Sequence, residues 1–359
     1  MKLTKLEKYW ILYDVGNSAF IMLVSTIIPI YFNYLAGNAG ISEVDYLAYW
    51  GYAASVATVI VALIGPILGS VADTKNYRKP LFVISMMVGV IGCAALSVPT
   101  SWIVFLAVFV IAKVGYNASL IFYDSMLVDV TTGERMDMVS SHGYAWGYIG
   151  SCIPFVISLV FVLMYEKIGI TMKMAMAIAF FINAAWWLLV TIPLLRKYEQ
   201  NYYAEMPKHP VRDSFKRLGH TLSSIKKEKS IFLYLLAFFF FIDGVYTIIE
   251  MATAYGSALG LDSTGLLLAL LVTQIVAFPC ALIFSKLSKK YATDFLIKIC
   301  ILAYFGIYDI CGKGASFMGT TLVGIVAQVT NVANAGVGII AVLFMVGFVL
   351  FHKAAKLNR

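Results

Sequence analysis

Apolar residues in this chain fall into long blocks separated by short polar stretches. A membrane-spanning helix needs about 20 such residues, and ten blocks are long enough; they cover residues 9–35, 47–71, 80–98, 102–130, 139–165, 174–195, 231–255, 265–284, 295–329 and 336–351. The block over 295–329 is interpreted as one long span, tilted or kinked at Gly312 and Gly314. The pattern predicts an all-α polytopic membrane protein with about ten transmembrane helices.

Lysine and arginine are distributed unevenly between the predicted loops. If the N-terminus is cytoplasmic, 22 of the 27 basic residues lie on the cytoplasmic side, whereas the opposite loops hold only Lys167 and Lys173. Cytoplasmic loops of membrane proteins carry this excess of positive charge. The asymmetry predicts that both termini are cytoplasmic, which also requires an even number of spans.

Composition supports a membrane protein and excludes several other classes. The chain is 61% hydrophobic and 13% charged, about half the charged fraction of a soluble domain. Its net charge of +8 indicates attraction to anionic lipid in the bilayer rather than binding of nucleic acid. The five cysteines form no C-x-x-C pair and the four histidines form no cluster, so we expect no metal site and no cofactor. We predict an integral multi-pass protein of the cell membrane.

A polar stretch over residues 196–230 divides the predicted spans into two groups. Residues 1–195 are predicted to form a six-helix bundle, and residues 231–359 a shorter bundle of about four helices. Within the polar stretch, apolar residues recur every three or four positions over 211–225, between basic residues. This spacing predicts an amphipathic helix on the inner membrane surface that connects the two bundles.

Polar residues recur on every third predicted span. Charged side chains inside spans are rare, usually face the bundle interior, and mark solute or ion paths. A repeat of three helices whose first member lines a shared cavity produces this period, as in secondary transporters. The candidate substrate or ion path consists of Asp14 and Asn17 on the first span, Tyr116, Asn117 and Asp124 on the fourth, and Asp243, Tyr246 and Glu250 on the seventh. Two alternatives stay open: the acids only hold helices together, or Asp14, near the membrane surface, has an interfacial role.

The loop after the second span, GSVADTKNYRKP, resembles the signature of the major facilitator superfamily between its second and third helices. The resemblance implies a cytoplasmic gating motif composed of Gly69, Asp73, Arg78 and Lys79. In that motif the glycine permits close helix packing, the acid caps a neighbouring helix and the basic residues complete a charge latch. Asn76 stands where the family has a turn glycine, and asparagine tolerates the left-handed conformation needed there.

Longer stretches resemble one branch of that superfamily, the vacuole effluxer family related to autophagy-linked amino-acid exporters. They are YDVGNSAF with IIPIYF in the first span, FYDSMLVDV with GERMDMVSSHGYAWGYIGS in the fourth and fifth, and YFGIYDICGKGASFMGTTLVGIVAQVT in the ninth. The resemblance implies a twelve-helix transporter fold in two six-helix halves. It also implies amino acids or similar small metabolites as cargo.

The chain departs from that family in its second half. Around residues 303–307 the middle of a ninth family helix runs directly into the start of an eleventh, so about two helices have no counterpart. Losing two crossings preserves the topology but removes one expected cavity helix. In the fused span, Asp309 and Lys313 are one turn apart and are predicted to neutralise each other.

These observations predict a secondary active transporter that moves a small-molecule solute by alternating access. No Walker pattern is present, and neither are the protease patterns G-x-G-D and H-E-x-x-H, so ATP hydrolysis and catalysis are not expected. The predicted partners are the solute, the lipid bilayer and a coupling proton or cation. Because a cavity helix is missing, the alternatives are a non-transporting membrane scaffold and a chain that completes its cavity as a homodimer.

Overall fold

The computed structural model describes residues 2–205, 210–287, 291 and 317–357, and this part of the chain is almost entirely helical. A 3-10 turn, Gly133–Arg135, joins the fifth and sixth helices. The α-helices are α1 (Lys5–Val24), α2 (Ile27–Asn38), α3 (Glu43–Ala72), α4 (Arg78–Ala95), α5 (Trp102–Val130), α6 (Met136–Ile168), α7 (Met172–Lys197), α8 (Pro210–Ile225), α9 (Lys229–Ala258), α10 (Ser263–Leu287), α11 (Phe317–Thr330) and α12 (Ala333–Leu357).

In the part of the chain that the structure describes, ten apolar helical segments lie where the sequence predicts membrane spans. Eight are long enough to cross a membrane, with α1 and α2 counted together as Lys5–Asn38, and two shorter ones cover Thr321–Thr330 and Gly338–Leu350. The prediction of an all-α polytopic membrane protein is therefore confirmed. The fused stretch at 303–307, the Asp309–Lys313 pair and the kink at Gly312 and Gly314 lie outside the described residues.

The first span is interrupted, whereas the sequence predicts one continuous helix. The Ser25 hydroxyl donates to the carbonyls of Ile21 at 3.0 Å and Met22 at 3.2 Å, and the Thr26 hydroxyl also donates to Met22. Such side-chain bonds to the preceding turn compete with the backbone ladder and bend helices. Helix α2 then restarts at Ile27. The apolar pattern did not reveal this break because apolar residues continue on both sides of it.

Close contacts fix the directions of the outermost helices. Gly244 and Phe344 are neighbours, as are Phe241 and Gly347, so α9 and α12 run antiparallel. Thr253, near the end of α9, hydrogen-bonds Ser25, just after the end of α1. The starts of α1 and α9 and the end of α12 therefore lie at one end of the bundle. We call this the inner end, because it carries Lys5 and Leu357 and is the predicted cytoplasmic side. The opposite end is the outer end.

Glycine contacts let several helices approach closely. A Cβ atom added to Gly143 of α6 would come within 2.5 Å of Asp14 of α1, and one added to Gly147 would come within 2.7 Å of Ser18. A Cβ atom on Gly115 of α5 would lie 2.4 Å from the backbone nitrogen of Gly89 on α4. Small residues at such spacing allow tight packing of membrane helices.

The helices after residue 228 pack against the earlier ones on two sides: one side is formed by α2 and α3, and the other by α6. Helix α11 lies along α3, while α9 packs against α12 and also contacts α2 and α3. Helix α10 packs mainly against α6 rather than against its neighbour α9. The predicted amphipathic segment forms α8, which contacts α3 and α9. The boundaries of the two predicted bundles stay a prediction.

Candidate functional site: a polar junction of helices α1, α5 and α9

The three helices that carry the predicted polar faces meet in the structure. The hydroxyl groups of Tyr13 on α1 and Ser119 on α5 lie 2.6 Å apart. Trp10 stacks on Tyr123 with 4.2 Å between ring centroids, and its indole nitrogen donates to the Tyr123 carbonyl. On the other side, the Thr253 hydroxyl of α9 donates to the Ser25 carbonyl at the break after α1. Breaks in membrane helices need such partners, because lipid offers no donor to a freed carbonyl.

A buried ion pair crosses from α5 to α9. The ammonium group of Lys113 binds the carboxylate of Glu250, and the two residues are only 2% and 5% exposed. The Trp50 indole of α3 donates to the Glu250 backbone carbonyl at 2.5 Å. Either charge alone would be costly inside a membrane, and pairing removes most of that cost. At 1.5 Å per residue, the pair lies about 12 Å below the outer end of α9.

The outer half also contains polar contacts between α3 and α11. The Tyr52 hydroxyl donates to the side-chain oxygen of Gln328 at 2.6 Å, and the amide of Gln328 donates to Asp45 at 3.0 Å. Deeper along the same seam, the Thr321 hydroxyl donates to Ser55 at 2.9 Å. Together with the Lys113–Glu250 pair, these bonds tie the first seven helices to the later ones on the outer side.

An acidic and tyrosine-rich cluster lies on the inner side of the ion pair. Tyr144 interacts electrostatically with Asp14, Asp124 and Tyr246, and Tyr116 interacts with Tyr246 and Asp14. Tyr246 precedes Glu250 by one helical turn and therefore lies about 6 Å nearer the inner end. Tyr144 is 61% exposed and Tyr246 is 50% exposed. Two tyrosine rings of the cluster are thus accessible on the inner side of the Lys113–Glu250 pair.

The predicted path residues divide between this cluster and the buried interior. The cluster contains four of them: Asp14, Tyr116, Asp124 and Tyr246. Glu250 instead forms the ion pair with Lys113. Three others are placed differently: Asn17 is buried and donates to Asp14 at 3.4 Å, Asn117 is half-buried on α5, and Asp243 is completely buried on α9.

Sequence reasoning missed the partner of Glu250 and the role of the glycines. Lys113 lies one helical turn before Asn117 on the fourth span, but no rule of spacing pairs residues 137 positions apart. The run GYAWGYIG, which contains Gly143, Gly147 and Gly150, carried a usable signal, since small residues at this spacing mark close helix contacts.

The predicted gating motif forms a charge cluster within the first seven helices. Arg78 contacts Asp73 at 2.9 Å and the buried Asp129 of α5 at 2.6 Å. The Lys79 ammonium donates to the Tyr198 carbonyl at 3.1 Å. Asn76 has a φ of 67°, the left-handed conformation expected where the family carries glycine. A Cβ atom on Gly69 would meet no atom within 4 Å, so no described segment packs closely against that glycine.

Asp129 organises the segment after α7, which we call the strap (residues 198–204). Its carboxylate accepts hydrogen bonds from the Tyr198 hydroxyl at 2.6 Å and from the backbone N–H groups of Asn201 and Tyr202, both at 2.9 Å. Burial raises the pKa of the Tyr198 phenol, and the bond to Asp129 raises it further. The phenol therefore stays protonated and donates. The strap fixes the start of the connector to the inner ends of α4 and α5.

A second inner-end cluster surrounds Glu7 of α1, which is only 1% exposed. Arg135 donates to both carboxylate oxygens, at 2.7 and 2.6 Å, and the Thr131 hydroxyl donates at 2.7 Å. Glu7 also completes a capping box with Thr4 at the start of the helix. A bidentate pair of this kind holds the N-terminal turn in a defined orientation.

No group of three or more His, Cys, Asp or Glu side chains in the described part of the chain is arranged to hold a metal ion. The groups at the junction that can bind a solute or an ion are therefore carboxylates, tyrosine hydroxyls and one ammonium group.

The fold resembles solved transporter structures. The D-xylose-proton symporter superimposes with a TM-score of 0.60 at 14% identity, covering 98% of this chain and 80% of the symporter. The human organic anion transporter MFSD10 gives a TM-score of 0.58 at 14% identity, covering 97% and 99% of the two chains. The chain therefore has the helical fold of these membrane transporters.

Sequence comparison identifies the family. The MFS-type transporter YxiO of Bacillus subtilis (strain 168) is 36% identical over 404 aligned positions, covering 97% of this chain and 94% of YxiO. Autophagy-related protein 22-1 of Penicillium rubens is 27% identical over 154 residues, which is 36% of this chain and 24% of that protein. The family described as "Vacuole effluxer Atg22 like" matches residues 4–303 and 302–356. The chain belongs to this family.

The family match falls into two segments that meet at residues 302 and 303. The alignment with YxiO runs over 404 positions, although this chain has 359 residues, so YxiO carries residues that have no counterpart here. The position of the division agrees with the predicted loss of family sequence near 303–307.

Proposed function

We propose that the chain is a secondary transporter that moves a small solute, of the amino-acid class, by alternating access. The observation that carries the proposal is the Lys113–Glu250 pair, which joins the two groups of helices directly above an open polar cluster. An ion pair at the head of a cavity offers a carboxylate and an ammonium group at once. A zwitterionic solute could exchange with these partners one for one, so that no charge is left unpaired.

The acids of the cluster are proposed to couple transport to an ion gradient. We infer that the solute passes beside Asp14 and Asp124, which can take up or release a proton or attract a cation as access changes sides. Because neither carboxylate has an ion-pair partner among the described residues, a mobile cation is the natural counter-charge. We place the protein in the cell membrane, with both termini cytoplasmic, and expect no enzymatic activity.

Transport into liposomes tests this function. The purified chain is reconstituted, the vesicles are loaded with a mixture of amino acids, and counterflow of labelled amino acids is measured with and without an imposed proton or sodium gradient. We expect counterflow by the wild type and loss of gradient-driven accumulation in Asp14→Asn. Glu43→Gln, which changes an exposed acid at the start of α3, is the matched control.

A non-transporting scaffold is the second candidate, because the family sequence is interrupted at residues 302 and 303. The same vesicles distinguish the two. If no amino acid shows counterflow while the protein remains folded and correctly oriented, the scaffold is favoured. If counterflow appears only after two copies of the chain have been cross-linked, a homodimeric transporter is favoured.

A further inference from the structure

A groove of about 430 Å³ opens near the inner end, between α1, α6 and α10. Its basic side is formed by Lys2, Lys8 and His142, and its apolar side includes Trp146 and Phe278. No acidic residue of the described chain lines it. The groove is separate from the polar junction, because it lies on the other side of α6 against α10.

The two kinds of lining residue are separated by depth. Lys8 lies one turn from the start of α1, so its ammonium group is at the level of the membrane surface. Trp146 lies ten residues into α6 and Phe278 nine residues before the end of α10, each about 15 Å from the inner end of its helix. Their rings meet edge to face, with 5.6 Å between centroids.

The basic side is held in position by the Glu7 cluster. Arg135 binds Glu7 through both carboxylate oxygens, and it also donates to the backbone carbonyl of Lys2 at 3.2 Å. The carboxylate of Glu7 is fully engaged there and does not neutralise Lys2 or Lys8. The backbone that carries the two lysines is thus held next to the groove, and the charge of their ammonium groups is available to a ligand.

We propose that this groove binds an anionic phospholipid of the inner leaflet, with its phosphodiester at Lys2 and Lys8 and an acyl chain against Trp146 and Phe278. Cations at the surface and aromatic side chains at depth match the order of groups in such a lipid. Basic pockets between membrane helices on the cytoplasmic side recognise headgroups in this way. The volume accommodates the headgroup and the first part of one chain, and the remainder continues along the exposed apolar seam of α6 and α10.

A lipid at this position would bridge the two groups of helices. Helices α6 and α10 come from opposite sides of the connector, and the groove lies where they pack together. The bound lipid therefore contacts both groups at the inner end, while the Lys113–Glu250 pair joins them nearer the outer end.

Competition between lipids tests the proposal. The full chain is purified in neutral detergent with equal amounts of phosphatidylglycerol and phosphatidylcholine, and bound lipid is counted by native mass spectrometry. We expect a preference for phosphatidylglycerol in the wild type. Each lysine near the surface contributes about fivefold to such binding, so the double variant Lys2→Gln/Lys8→Gln should lose about thirtyfold of that preference. Lys5→Gln is the matched control, because this exposed lysine lies between the two but does not line the groove.

Two further arms make the outcome decisive. Trp146→Ala should weaken binding of both lipids, because it removes the deep contact with the acyl chain. Soluble glycerol phosphate should not displace the bound lipid; if it does so at equal concentration, the site is for a free phosphate ester. Equal preference in the double variant and in Lys5→Gln, or no preference in the wild type, overturns the proposal.

Discussion

Breaking the Lys113–Glu250 pair should shift the protein from the outer-closed state towards an outer-open one. The pair joins α5 to α9 and is almost completely buried, so it can exist only while the two groups of helices are closed on the outer side. In Glu250→Gln the ammonium of Lys113 loses its partner in the closed state, whereas in the open state water can solvate it. The substitution therefore raises the free energy of the closed state selectively.

The magnitude follows from the burial of both groups. Removing one member of a buried ion pair costs about 3–5 kcal/mol. If about 3 kcal/mol of this applies only to the closed state, the equilibrium between closed and open states changes by about two orders of magnitude. Replacing both residues, in Lys113→Met/Glu250→Met, leaves no uncompensated charge and should return the equilibrium most of the way to that of the wild type.

Cysteine accessibility measures the shift. In a background without the native cysteines, Thr247→Cys places a thiol one turn from Glu250 at a position that is fully buried in the closed state. The labelling rate by an impermeant maleimide added from outside reports the open population. We expect it to rise by up to ~100-fold in Glu250→Gln, and to stay unchanged in Glu43→Gln, which neutralises an exposed acid. The reasoning is refuted if Glu250→Gln and Glu43→Gln label alike, or if Lys113→Met/Glu250→Met labels as fast as Glu250→Gln.

Three further predictions concern the residues that hold the helices around the site. Asp129→Asn should lower the free energy of unfolding by about 3–5 kcal/mol in denaturant, because it leaves the buried Arg78 without its closest carboxylate. Asp73→Asn changes a carboxylate whose side chain is 57% exposed, so it should cost about 1 kcal/mol or less. Gly115→Ala should lower the melting temperature, since the new methyl group would overlap the α4 backbone at a cost of about 1–3 kcal/mol, whereas Gly69→Ala should be neutral in the same scan. Inserting the two-helix hairpin of a longer relative at Gly306 should raise transport in liposomes; equal uptake by the chain with and without the hairpin would contradict the view that the second bundle is short of a cavity wall.

The helices were predictable because the bilayer restricts what an apolar block can become. A stretch of about 20 apolar residues in lipid must form a helix to satisfy its own backbone, so length alone located ten segments. The break at Ser25 and Thr26 was not predictable in this way. It depends on hydroxyl groups bonding the preceding turn and on Thr253 supplying a donor from α9, and a pattern of hydrophobicity records neither.

The candidate site was predictable as a set of residues but not as an arrangement. Charged residues in spans are rare enough for Asp14, Asp124 and Glu250 to attract attention by type alone. Which of them is paired depends on how α5 and α9 are rotated, and that rotation is set by tertiary packing. Glu7, Asp129 and Arg135 were passed over for a related reason: they lie near helix ends, where a charge is usually solvated. Here Glu7 and Asp129 are buried, and Arg135 is held in a fixed network by its bonds to Glu7.

The position of α10 suggests how a family member with fewer helices can still fold. In water, removing two neighbouring helices would expose a large apolar surface, but lipid solvates such a surface at little cost, because membrane helices associate through packing rather than through the hydrophobic effect. Only 11% of the apolar window of α10 is buried, and its backbone bonds are satisfied within the helix. The consequences of a shortened second half should therefore appear first where polar groups need neighbours, at Asp124 and Tyr246, and not in membrane insertion. A chain of this kind can lose transport while keeping its topology, so folding and orientation have to be measured separately from uptake.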